Sequence, residues 1–118
     1  MKTIAVIFGT RPDTIKLSPI ILELRKHRTQ FKVVTIATAQ HRQMLDQVLD
    51  VFRIRPDYDL NIMEPKQSLA GLTKNTIGAL DEVLVEVKPD MVLVQGDTTT
   101  TFVGTLTSFY RQIPVGHV

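Results

Sequence analysis

Cysteine and tryptophan are absent from the 118 residues, and neither sign of charge is in large excess. Without cysteine there is no disulfide framework and no thiolate metal site, a composition that suits the cytoplasm. Fourteen Lys+Arg stand against twelve Asp+Glu, and the basic residues are scattered. No stripe of them would track the phosphates of a nucleic acid. No apolar run approaches the ~20 residues that cross a bilayer. The apolar opening at residues 4–8 is followed at once by Arg11, Asp13 and Lys16, so it reads as a buried strand rather than a secretion signal. Repeats, low-complexity tracts and linkers are missing too. With 43% hydrophobic residues the chain can bury an ordinary core, and its length fits one domain, residues 1–118.

Strands and helices alternate along the chain. Residues 4–8 and 91–94 are continuous apolar runs of the kind found in parallel strands covered on both faces, and 33–37 reads as a second strand in chain order. A short extended piece is expected at 58–62, and a last strand begins at 115–118. Between them lie four helical patterns. The first carries Ile15, Leu17, Ile20, Ile21 and Leu24, with Pro12 at its start and Pro19 marking a kink or a fresh start capped by Ser18. The second, 41–52, puts Met44, Leu45, Val48, Leu49 and Phe52 on one face. The third, 68–87, has a stripe of Leu69, Leu72, Thr76, Ile77, Leu80, Val83, Leu84 and Val87, stopped by Lys88-Pro89-Asp90. The fourth, 98–111, is expected to turn Phe102, Leu106 and Phe109 or Tyr110 inward. This alternation predicts an open α/β sheet with right-handed crossovers.

In such a sheet ligands gather outside the carboxyl ends of the strands. Three segments stand there: Gly9-Thr10-Arg11-Pro12-Asp13, Thr38-Ala39-Gln40-His41-Arg42 and Gly96-Asp97-Thr98-Thr99. The first has neither a dinucleotide fingerprint nor a P-loop. Its helix start, with Arg11 and Lys16, suits an anionic ligand; the alternative is a surface Arg and Lys that are solvated or paired with Asp13. Asp97 suits a general base, a sugar-hydroxyl acceptor or a metal ligand, while Asp97 or Thr98 would also serve as a helix cap. The run 98–101 is a source of hydroxyls at a helix start. Gln40, His41, Arg42 and Gln43 form a polar cluster that reads equally as an exposed helix start. His27 fits a solvated helix C-terminus, and His117 has no partner visible in the sequence. No set of carboxylates and histidines has metal-ligand spacing.

Read together, Phe8-Gly9-Thr10-Arg11-Pro12-Asp13-Thr14-Ile15-Lys16, Thr38-Ala39-Gln40-His41-Arg42-Gln43-Met44-Leu45-Asp46, Asp57-Tyr58-Asp59-Leu60-Asn61-Ile62-Met63, Gly96-Asp97-Thr98-Thr99-Thr100-Thr101 and Pro114-Val115-Gly116-His117-Val118 resemble the bacterial non-hydrolysing UDP-N-acetylglucosamine 2-epimerases. The likeness is collinear over essentially all of the chain. It implies a Rossmann-like domain, the N-terminal half of a two-domain B-type glycosyltransferase-like fold. This domain would be incomplete at its C-terminal end, and the second, UDP-binding domain would lie outside the chain. It also implies a cytoplasmic homodimer, paired through this domain, that interconverts UDP-GlcNAc and UDP-ManNAc for polysaccharide synthesis without a cofactor. Arg11, Lys16 and Asp97 fall on the family's substrate-binding positions, and Asp97 on a catalytic one. Gln40 and Gln43 fall on positions resembling the contacts of a second, regulatory UDP-GlcNAc. Lys66 falls on a further one where members carry Arg. Two departures stand out: Asp13 where Glu is usual, and Gln95 where His is common.

The chemistry implied is elimination of UDP from C1, which acidifies C2–H, followed by re-addition with the proton delivered to the other face. That path needs cations around the departing diphosphate and at least two acid/base groups. In the family the next carboxylate follows directly after Gly116-His117-Val118, so the 118 residues alone are expected to be inactive; with the last strand lacking its following helix, they are expected either to self-associate or to be part of a longer protein. Arg11, Lys16 and Asp97 are expected to converge on one rim and to share a cavity between them. Rival readings are a hydrolysing epimerase or glycosyltransferase of the same architecture, a stand-alone nucleotide-sugar-binding module using Gln40, Gln43 and Lys66, or an inert fragment.

Overall fold

The computed structural model describes residues 1–38, 42–62 and 66–118, with Arg42 traced by its backbone. Strands β1 (Lys2–Phe8), β2 (Phe31–Ala37), β3 (Tyr58–Asp59), β4 (Met91–Val94) and β5 (Val115–His117) alternate with helices α1 (Arg11–Arg25), α2 (Arg42–Phe52), α3 (Leu69–Val87) and α4 (Thr99–Tyr110). The sheet order is β3-β2-β1-β4-β5, parallel throughout, so the expected open α/β sheet is present.

The apolar run of β1 splits by parity, as a strand covered on both faces must. Ile4, Val6 and Phe8 join Leu17, Ile21, Leu45 and Leu49 on the side of α1 and α2. Ala5 and Ile7 join Leu80, Leu84, Val92, Val94 and Val103 on the side of α3 and α4. Two Pro-Asp pairs staple strand starts. The Asp57 carboxylate accepts from the Thr35 amide (2.8 Å), and that of Asp90 from the Thr3 amide (2.7 Å). The sequence shows the second pair only as the stop of the third helical pattern.

Several helix faces differ from expectation. Ile15, Met44 and Leu69 are exposed, each at the edge of a stripe whose remaining members pack inward. In α4 the expected aromatic face is reversed, while Leu106 is half-buried. Phe102, Phe109 and Tyr110 face outward, and the sheet side is made of Thr100, Thr101, Val103, Gly104, Thr107 and Ser108. Close approach explains this. A Cβ at Gly104 would stand 3.1 Å from Val94 Cγ1 and 3.3 Å from Ile7 Cδ1, leaving no room for rings. Two of the buried hydroxyls are satisfied locally, Thr101 Oγ1 donating to the Gln95 carbonyl and Ser108 Oγ to that of Gly104, both at 2.6 Å, whereas Thr107 Oγ1 is buried without a partner among the described residues. Pro19 neither breaks nor starts a helix; α1 runs through it, and Ser18 Oγ donates back to the Thr14 carbonyl at 2.6 Å rather than capping.

Candidate functional site

β1 leads to β2 and β3 on one flank, and the chain then crosses to β4 and β5 on the other. The reversal falls between β1 and β4, which places the loops 9–10 and 95–98 side by side at the switch point. Arg11 opens α1 directly after the first loop, and Asp97 lies in the second.

Asp13 shapes the first loop. Its buried carboxylate accepts from the backbone amides of Gly9 (3.2 Å) and Thr10 (2.9 Å) and from Thr14 Oγ1 (3.3 Å). Burial raises its pKa above the usual carboxylate value, against the lowering effect of those bonds. The Gly9 and Thr10 amides are thus taken by Asp13. One sequence alternative changes as a result: Asp13 is not the partner of Arg11 or Lys16. Both cations are exposed and have no ion pair among the described residues. The signal for this is present in the sequence, since Thr10-Arg11-Pro12-Asp13 has the spacing of a capping box.

In the second loop Thr98 is the cap of α4, its hydroxyl accepting from the Thr101 amide at 3.3 Å. The cap role therefore falls to Thr98 and leaves the exposed Asp97 carboxylate without a hydrogen bond or ion pair among the described residues. The hydroxyls of 98–101 are largely engaged inside the protein: beyond the Thr98 cap and Thr101, Thr100 Oγ1 meets Thr38 Oγ1 at 2.9 Å across Gly9. Gly96 takes a φ of +80°, which favours glycine. Its carbonyl lies 2.7 Å from His117 Nε2, the partner the sequence does not reveal.

Asp97 lines an open groove of about 430 Å³ with Thr98, Thr101, Phe102, Thr105, Val115 and His117. Arg11 lines another, of about 360 Å³, with Ile15, Gln47, Val48, Val51 and Phe52. Arg11 and Asp97 thus share the rim but not a groove, and Lys16, exposed on α1, lines neither. Gln43 is exposed in the first turn of α2, and Lys66 is exposed in the loop leaving β3 with a left-handed φ of 61°. Gln40 and His41 lie outside the described residues. His27 sits exposed with Nε2 3.4 Å from Glu23 Oε2. Among the described residues no group of three or more His, Asp or Glu is placed to hold a metal ion, and no helix is long and apolar enough to cross a membrane.

The sequence profile of the UDP-N-acetylglucosamine 2-epimerase family matches residues 23–118. The chain belongs to this family. The UDP-N-acetylglucosamine 2-epimerase of Bacillus subtilis (strain 168) is 58% identical over 115 residues, a match covering 98% of this chain and 30% of that protein. The crystal structure of UDP-GlcNAc 2-epimerase from Neisseria meningitidis bound to UDP-GlcNAc superposes with a TM-score of 0.93 at 57% identity, over 98% of this chain and 31% of that one. MurG of Acinetobacter baumannii shares the fold alone, with a TM-score of 0.75 at 16% identity over 99% of this chain and 35% of that one. The chain therefore spans about a third of the length of the epimerases it matches.

Proposed function

We propose that this chain is the N-terminal, Rossmann-like part of a UDP-GlcNAc 2-epimerase, one wall of a cleft whose other wall is a second, UDP-binding domain. The observation that carries the reading is the pairing of unpartnered groups of opposite sign at one switch point: Arg11 after β1 and Asp97 after β4. The incompleteness of each groove agrees with a site shared between two domains. Arg11 and Lys16 supply full positive charges for the diphosphate, which leaves with the electron pair of the C1–O bond. Asp97 moves the C2 proton on one face of the sugar, and a second acid/base group serves the other face. Elimination yields 2-acetamidoglucal and UDP. Re-addition of the held UDP restores the C1–O bond and is effectively unimolecular.

In this reading the enzyme works in the cytoplasm in polysaccharide synthesis. Gln40, Gln43 and Lys66 contact a second, regulatory UDP-GlcNAc, and the outward aromatic face of α4 pairs two copies as a homodimer. The deciding experiment is incubation of the natural full-length polypeptide with UDP-GlcNAc in D₂O. Formation of UDP-ManNAc with deuterium at C2 is expected. Release of free ManNAc and UDP would mark a hydrolysing enzyme, and sugar transfer to an acceptor a glycosyltransferase. Binding without turnover, lost in Q43A and kept in D97N, would mark a sensor.

A further inference from the structure

The groove that holds Asp97 also holds His117, at the end of β5. His117 Nε2 stands 2.7 Å from the Gly96 carbonyl oxygen. A carbonyl only accepts, so Nε2 carries the proton, and in the neutral ring Nδ1 is the bare nitrogen. That carbonyl belongs to the peptide joining Gly96 to Asp97, so the bond fixes the peptide plane from which the Asp97 side chain departs. Two further bonds close the arrangement. The Gly96 amide donates to Val118 O at 3.3 Å, and the Val118 amide donates to the Val94 carbonyl at 2.9 Å. Both polar backbone groups of Gly96 are thereby held by the end of the neighbouring strand. The need is specific, since Gly96 at φ +80° has no side chain packed within 4 Å of its Cβ direction to anchor it.

We propose that His117 is a positioning residue for Asp97, acting as a fixed Nε2–H donor that sets the Gly96–Asp97 peptide. It acts through neither its charge nor proton transfer, and it rests on the reading of Asp97 as the proton-moving group. A donor role has a distinctive signature. Glutamine places an amide N–H near the position of imidazole Nε2, asparagine places its own near Nδ1, and alanine places none.

The test uses the natural full-length polypeptide with UDP-GlcNAc. H117Q should stay within about threefold of wild type, whereas H117N and H117A should lose kcat by up to about 10²-fold with little change in KM, the scale expected when a reacting group is displaced by ~1 Å. Failure of Gln to rescue would overturn the proposal. So would a wild-type ring found by ¹⁵N NMR as the Nδ1–H tautomer, a readout that needs no substitution. The Gly96 and Asp97 amide signals should move in H117A and return toward wild type in H117Q; signals indifferent to all three variants would also overturn it. If wild type turns over no UDP-GlcNAc, the reading of Asp97 fails, and the NMR signals still decide whether His117 holds the turn.

Discussion

The hydroxyls of Thr38 and Thr100 meet 2.9 Å apart directly over the backbone of Gly9, tying the end of β2 to the start of α4 across the end of β1. A Cβ added at Gly9 would fall 2.0 Å from Thr38 Oγ1 and 2.4 Å from Thr100 Oγ1. Gly9→Ala should therefore cost about 1–3 kcal/mol of stability through overpacking. Removing both hydroxyls with Thr38→Ala and Thr100→Ala opens that space, so the triple variant should be more stable than the sum of the separate losses implies. Urea denaturation of the set measures the coupling, and strict additivity would refute the steric account.

Asp13 is the second fixed point of the same loop. Asp13→Ala leaves the amides of Gly9 and Thr10 without their acceptor and removes a cap contact, a loss of about 1–3 kcal/mol in denaturation. Arg11 begins the helix that this carboxylate anchors, so binding of UDP-GlcNAc should weaken in the same variant, and calorimetric titration checks it. Unchanged affinity with lowered stability would separate the loop's structure from its function.

Much of this architecture is legible in the sequence because burial on both faces leaves an unambiguous trace. The run Ile4-Ala5-Val6-Ile7-Phe8 has no polar break, and each of its parities lands in a core. The rim follows from the strand ends alone. The pattern of α4 misleads for a physical reason: periodicity counts hydrophobicity, and the sheet side of α4 is selected for small size. Gly104 grants the approach, and Thr101 and Ser108 bury hydroxyls by bonding them to nearby carbonyls. The role of Asp13 is encoded in a four-residue spacing that also reads as charge pairing. The His117 contact joins residues 21 apart through the register of β4 and β5, which no local pattern carries.

Two carboxylates should give opposite pH signatures. Asp81 is held below the usual 3.8 chiefly by its hydrogen bonds from Arg111, both 2.8 Å. Its folded form releases the proton more readily, so its contribution is present above 3.8 and is lost as pH falls toward the lowered value. Asp13, raised by burial, holds its proton more tightly when folded. Its burial costs stability at neutral pH, and that cost is relieved as pH falls through the window above 3.8. Denaturation profiles should show the gap between wild type and D81N narrowing below 3.8, where the lowered Asp81 value lies, and wild type gaining relative to D13N in the window above it. Parallel profiles for either variant would contradict the corresponding cause.

The outward face of α4 carries Phe102, Phe109 and Tyr110, with the last two rings 6.3 Å apart at 47°. None packs into this domain's core, so Phe109→Asp should leave the unfolding midpoint of a dilute sample nearly unchanged. Under the proposed homodimer it should lower self-association, seen as a shift to monomer in sedimentation velocity. A wild-type protein that is monomeric at high concentration would remove α4 as a pairing surface.

Asp97 and Thr98 are adjacent yet do different work, and substitution separates them. Thr98 satisfies the Thr101 amide at the start of α4, so Thr98→Ala should cost about 1 kcal/mol in stability. Asp97 has no such bond among the described residues, so Asp97→Asn should leave the melting temperature close to wild type. If Asp97 moves the C2 proton, that same near-isosteric change should cut kcat by about 10²–10⁴-fold with KM little altered, the range typical of removing a general acid/base. Deuterium incorporation at C2 should fall in step, because exchange and inversion then share the disabled proton transfer. Arg11→Ala should instead weaken binding of UDP itself, since a cation set against the diphosphate is engaged before and after the C1–O bond breaks. A D97N enzyme that turned over at the wild-type rate would return Asp97 to the status of an ordinary surface carboxylate, whatever the behaviour of Arg11.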